Sequence, residues 1–304
     1  MISKSKIYML LLTIFLLVFL TSCSGGGSAD AANKINYRTG SRALEMRFID
    51  PGTEEFFEND ELVVLVEYYN RGTFDITNGM FFVSGYDKTY LPSLLPEPEF
   101  INIPGKDEFD PTGDRSQILT IRSRQVRLPS NAEEFDQRLK LTACYDYESH
   151  ISAELCIDPD PHDRRKTEKS CHMSPVSPGA QGAPIVVTRV TPYVSRNDFR
   201  IDIDFTNSGD GDVFARNIEL DQCLNLDRYK DLNKLDRIGV TFSGRQMSCT
   251  PSNPLRLING RGKLTCVCEG CINDYLDAYT TQIQIDFAYG YKNQEFKNVR
   301  LLKE

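Results

Sequence analysis

The chain has 304 residues, with 35 Lys and Arg against 43 Asp and Glu, for a formal net charge of −8. An acidic surface repels polyphosphate backbones, which excludes nucleic acid as a partner class. No P-loop, G-x-G-x-x-G, G-x-S-x-G or H-E-x-x-H pattern occurs, so the sequence supports neither an enzyme nor a bound cofactor.

The first predicted element is a targeting segment. Lys4 and Lys6 precede an uncharged apolar block of 14 residues, 7–20. That length suits an export signal, whereas a membrane-spanning helix needs about 20 apolar residues. The block runs into Leu20-Thr21-Ser22-Cys23, which resembles the lipobox of prokaryotic lipoproteins. The resemblance implies that residues 1–22 are a signal peptide cut before Cys23, and that lipid on the Cys23 sulfur holds the chain to the outer face of the cell membrane. Residues 23–41 then carry the lipidated cysteine and a Gly/Ser-rich flexible tether. Loss of residues 1–22 removes two lysines and no acids, leaving 33 basic against 43 acidic residues, or −10.

An internal repeat follows. ELVVLVEYYNRGTFDITNGMFFVSG in the first half matches FRIDIDFTNSGDGDVFARNIELDQ in the second when Asn70-Arg71-Gly72 is laid on Asn207-Ser208-Gly209. Val64, Val66 and Tyr68 then fall on Ile201, Ile203 and Phe205, in strands of period two that run into Asn-x-Gly turns. A later pair matches in the same order, residues 139–147 on 283–291, with Tyr145 on Tyr289 and Tyr147 on Tyr291. These spacings predict an all-β chain of two tandem Ig-like β-sandwich domains, 42–157 and 184–304, joined by a Pro- and charge-rich linker, 158–183. Tyr68, Tyr145, Phe205 and Tyr289 are expected in the cores of a chain that lacks Trp. Residues 226–237 are a candidate short helix, and 139–147 with 151–157 a candidate hairpin centred near His150.

Between the first strands lies a Pro-rich connection, residues 87–114. Its Tyr90, Leu91, Leu94, Leu95, Phe100 and Phe109 either grip a partner or fold back on the domain's own sheet.

The Asn-x-Gly strand ends, the CIDPDP segment, Cys171 and GAQGAPIVVTRV together resemble CARDB-type Ig-like modules in uncharacterised archaeal and bacterial surface lipoproteins. The resemblance implies a surface role and an Ig-like fold and assigns no activity.

Apart from Cys23, eight cysteines remain: Cys144, Cys156 and Cys171, then Cys223, Cys249, Cys266, Cys268 and Cys271. In an exported chain they read as disulfides. Three and five are both odd, so complete pairing requires a bond between the groups. The presumed hairpin pairs Cys144 with Cys156 and leaves Cys171 to cross; the rival is a local Cys156–Cys171 loop. Cys268-x-x-Cys271 also has the spacing of half a zinc site, which Cys223 or Cys249 would complete, but an oxidising surface favours disulfides. Asp202, Asp204, Asp210 and Asp212 do not have EF-hand spacing, and His150, His162 and His172 read as solvated residues. No metal site is expected. The expected function is that of a non-enzymatic binding or structural module in surface assembly or adhesion, with the membrane and other surface proteins as partners. The alternative is a solute- or metal-binding lipoprotein beside a transporter.

Overall fold

In the computed structural model, strands form where apolar and polar residues alternate. Residues 36–304 are described, apart from 50–53, 93, 95, 96, 163, 165–167 and 274–276. The first half holds β1 (Leu44–Ile49), β2 (Glu55–Phe57), β3 (Leu62–Asn70), β4 (Ile76–Ser84), β5 (Glu99–Ile103), β6 (Ser116–Ser123) and β7 (Glu134–Ile157). The second half holds β8 (Ile185–Ser195), β9 (Asp198–Asn207), β10 (Asp212–Phe214) and a 3-10 turn at Leu220–Asn225. It continues with β11 (Lys234–Leu235), β12 (Arg237–Phe242), β13 (Arg245–Gln246), β14 (Ser248–Thr250), β15 (Leu255–Arg256), β16 (Arg261–Cys268) and β17 (Tyr279–Leu302). The fold is all-β.

The largest sheet runs β13-β12-β17-β7-β4-β5, with β10 and β2 also on β17. A three-stranded sheet, β1-β3-β6, packs over its first half through contacts such as Tyr68 on Phe81, with ring centroids 4.9 Å apart. A four-stranded sheet, β14-β16-β9-β8, covers the second half, placing Phe205 on Phe287 and Phe199 on Phe242 at 4.8 and 4.4 Å. Alternation drives this layering. Every second residue of β3, from Leu62 to Asn70, is buried, so one face leaves water while the other stays wet. Tyr68, Tyr145, Phe205 and Tyr289 are all in the core.

The two halves share the large sheet along β7 and β17, each 24 residues long and paired antiparallel over their whole length. At about 3.3 Å per residue this ladder spans roughly 80 Å. Its register is symmetric. The repeat equates Tyr145 with Tyr289 and Tyr147 with Tyr291, while the ladder pairs Tyr145 with Tyr291 and Tyr147 with Tyr289. A pseudo-twofold axis therefore passes through the Asp146–Gly290 pair.

Side-chain chemistry repeats with the same symmetry. Asn70 Oδ1 accepts from Gly72 N and the Tyr147 hydroxyl, and Asn70 Nδ2 donates to Phe74 O. Asn207 Oδ1 accepts from Gly209 N and the Tyr291 hydroxyl, and Asn207 Nδ2 donates to Gly211 O. Both turns need glycine, because a Cβ at Gly72 or Gly209 would collide with the hydroxyl of Tyr147 or Tyr291. The other two tyrosines match as well. The Tyr145 hydroxyl accepts from Leu44 N and donates to Asn293 Oδ1, while the Tyr289 hydroxyl accepts from Ile185 N and bonds Ser149 Oγ.

Symmetry breaks after β10. That strand leaves the edge of β17 at Phe214 opposite Gly290, and β12 resumes the same edge at Arg237 opposite Ala288. Residues 215–236 are thus an insertion in what is one strand, β4, in the first half. The insertion folds over the outer face of the large sheet, where Phe82, Cys144, Phe214, Leu220 and Cys223 make a second small core.

Three expectations need correction. The 139–157 hairpin does not form, because apolar alternation continues through Ile151, Ala153, Leu155 and Ile157, and His150 sits mid-strand opposite Asp286. Residues 226–237 are turns followed by strand; the short helical turn lies at Leu220–Asn225. The 87–114 connection is not continuous loop, since β5 lies within it and pairs with β4.

Candidate functional site

All eight cysteines of the body are bonded: Cys144–Cys223, Cys156–Cys171, Cys249–Cys266 and Cys268–Cys271. One bond does join the first group to the second, but Cys144 makes the crossing, not Cys171. A Cys144–Cys156 bond is impossible on one straight strand, where 12 residues separate the two by about 40 Å. Cys156 therefore takes the local partner. Cys268 and Cys271 bond each other, which leaves no thiolate pair there for zinc. Such bonding is the chemistry of an oxidising compartment. Among the described residues no helix is long and apolar enough to cross a membrane, and no group of three or more His, Cys, Asp and Glu side chains is placed to hold a metal. Cys23 lies outside the described residues.

The contact candidates of the 87–114 stretch separate into two sets. Leu91 and Leu94 are fully buried, and Tyr90 packs edge-on against Phe135 at 5.0 Å. Bonds from Ser123 Oγ to Pro92 O and from Arg127 N to Tyr90 O close this first part against the body. Leu95 lies outside the described residues. Phe100 and Phe109 point outward, at 72% and 95% exposure. In β5, Ile101 and Ile103 take the core face, so alternation sends Phe100 to solvent.

Phe109 stands on a braced loop. Asp107 Oδ1 accepts from the N–H groups of Phe109 and Asp110, both at 2.8 Å. The Asp110 carboxylate accepts from Asp114 N, Arg115 N and Arg115 Nε. Arg115 also reaches Asp107 and Gly105 O, so one guanidinium fills the position a cation would take among these carboxylates. Burial alone would raise the Asp110 pKa, but these donors outweigh it and lower it to about 2. Gly113 closes the turn in the left-handed region (φ +70°), where a Cβ would also press on Asn70 O. The DEFDPTGD run carries this signal, since Asp, Pro and Gly at such spacing build side-chain-closed turns, and the sequence reading did not use it.

Beside the loop is a cleft of about 750 Å³ lined by residues 39–42, Glu45, Arg71, Lys106, Pro111, Thr112 and Asp114. Arg71 pairs with Glu45 and Asp114 and stacks over Tyr69. Lys106 is 7% exposed, its ammonium donates to Thr39 O, and burial followed by the Arg71 charge lowers its pKa.

A second polar group lies at the pseudo-dyad. His150 contacts Asp286 at 2.8 Å and Glu148 at 3.4 Å, and Arg216 bridges Glu148 and Asp146. Every carboxylate here has a cationic or imidazole partner, so the group reads as a closed network across the ladder. His162 and His172 are exposed. Asp202 accepts from Thr265 Oγ1, and Asp210 accepts from Asn293 Nδ2, so neither aspartate is turned toward a shared ion.

The chain matches no protein-family model, and no curated protein matches it in sequence.

Proposed function

We propose that the chain is a non-enzymatic, lipid-anchored surface protein that works through contacts. In this reading the signal segment is removed, Cys23 carries lipid, and the Gly/Ser-rich tether holds a disulfide-bonded β body outside the membrane. The resemblance to CARDB-type surface modules supports the same role. The observation that carries it is the braced Phe109 loop: a large apolar side chain, 95% exposed, held on a scaffold of side-chain and backbone bonds. A large apolar side chain held on a rigid support loses little conformational entropy when it meets a partner, which favours contact at this position.

The test is mass spectrometry of the mature N-terminus from the native host. A chain beginning at an acylated Cys23 is expected, with Cys23→Ser releasing the protein from the membrane fraction. A chain that still begins at Met1 with no acyl group would overturn the anchor. Cross-linking on intact cells then identifies what the body touches.

A further inference from the structure

The loop carrying Phe109 packs against the start of the described chain. Lys106 donates to Thr39 O, and residues 39–42 face Pro111, Thr112 and Asp114 across the cleft. Phe109 is three residues from Lys106, so their Cα atoms are at most about 11 Å apart. Residues 40 and 41 are themselves fixed near the junction of the halves, by Gly182 N donating to Gly40 O and Ser41 Oγ to Ser208 O. Residues 24–38, fifteen in number, separate Cys23 from Thr39. Fifteen residues reach at most about 50 Å, and a Gly/Ser-type coil of that length averages roughly 20 Å end to end.

We propose that Phe109 inserts into the interface of the bilayer that holds Cys23, so that the body rests on the membrane at its middle. This rests on the lipid-anchor reading above. A single ring is too small to recruit a protein from solution. A short tether removes that requirement, because it makes the second contact intramolecular at millimolar effective concentration. The bracing by Asp107, Asp110 and Arg115 lowers the conformational entropy lost on docking. Charge narrows the lipid class. The mature chain carries −10, so anionic headgroups repel the body and a zwitterionic surface is accepted.

The chain has no Trp, so Phe109→Trp supplies a single reporter at a site open enough to take it. Ile258→Trp, at a position 73% exposed in the second half, is the comparison. The full protein isolated from the native host is reconstituted in phosphatidylcholine vesicles with brominated acyl chains, and flotation and indole fluorescence are read together. Docking predicts flotation of both variants, with the indole at 109 blue-shifted and quenched several-fold more than that at 258. It also predicts that this difference shrinks when phosphatidylglycerol replaces part of the phosphatidylcholine. Flotation with equal, water-like emission at both positions overturns the docking and leaves the anchor standing. Failure to float overturns the anchor and the docking with it. An indole at 109 that is water-exposed on vesicles yet shielded on intact cells assigns the ring to a protein partner and overturns the bilayer as its site.

Discussion

Thr142 lies in β7 with its Oγ1 buried and, among the described residues, without a hydrogen-bond partner. A buried hydroxyl left unsatisfied costs about 1–3 kcal/mol. Thr142→Val keeps the branched shape and removes that oxygen, so urea unfolding should show a stability gain of about 1 kcal/mol; a loss would mean that the hydroxyl is satisfied after all. The four dyad tyrosines make the opposite case, since their hydroxyls are all bonded. Burial raises the pKa of Tyr145, Tyr147, Tyr289 and Tyr291 in the folded state, whereas an unfolded tyrosine ionises near pH 10. A raised folded-state pKa means that the native chain keeps protons the unfolded chain has shed. Their contribution is thus whole below about pH 10 and falls as pH climbs toward the folded-state values. Of 14 tyrosines, these four should show phenolate absorbance only as strand circular dichroism is lost. Ionisation of all 14 in one step on an intact fold would contradict the buried network.

The disulfides differ most in the length of chain they close. Cys144–Cys223 has a sequence separation of 79, and Cys268–Cys271 one of 3. Loop-closure entropy assigns these bonds about 4.5 and about 2 kcal/mol, respectively. Replacing Cys144 and Cys223 with alanine should therefore lower the denaturation midpoint more than the same change at Cys268 and Cys271. The first change should also loosen residues 215–236 in hydrogen exchange, because that bond pins the insertion to β7. Equal losses would show that strain or denatured-state structure outweighs chain entropy. The elements also explain what could be read in advance. β3 and β9 were legible because alternation ends at an Asn-x-Gly turn, and parity among the cysteines required a bond between the halves. Ser149 and His150 in β7 look like a turn to a reading based on polarity, yet Ser149 is buried on the dyad, bonding Tyr289. β5 was hidden among prolines. Leu91 and Phe109 look alike in sequence; only the fold decides which is buried, so the exposed ring at the candidate site could not be told from its buried neighbours.

At the scale of the molecule, the β7–β17 ladder has the form of a twofold dimer interface built within one chain. That form predicts the behaviour of half the molecule. A chain of residues 36–183 loses β17 and bares one edge of a 24-residue strand, which is a template for pairing. The repeat supplies the partner, because β7 resembles β17. A second copy antiparallel to the first would set Tyr145 against Tyr147, as β17 now sets Tyr291 against Tyr145, and would set Leu141 against Ile151, where β17 now has Ile285. It would also place Asp146 against Asp146 at the axis, where the intact chain has Gly290 opposite Asp146. Like charges directly opposed in a sheet are destabilising by roughly 0.2–1 kcal/mol. The fragment should therefore elute as a dimer or larger species in light-scattering chromatography, and Asp146→Asn should tighten it by removing the repulsion. A monodisperse monomer with full strand content would show that the first half closes its own edge, and that pairing with β17 is not what stabilises β7.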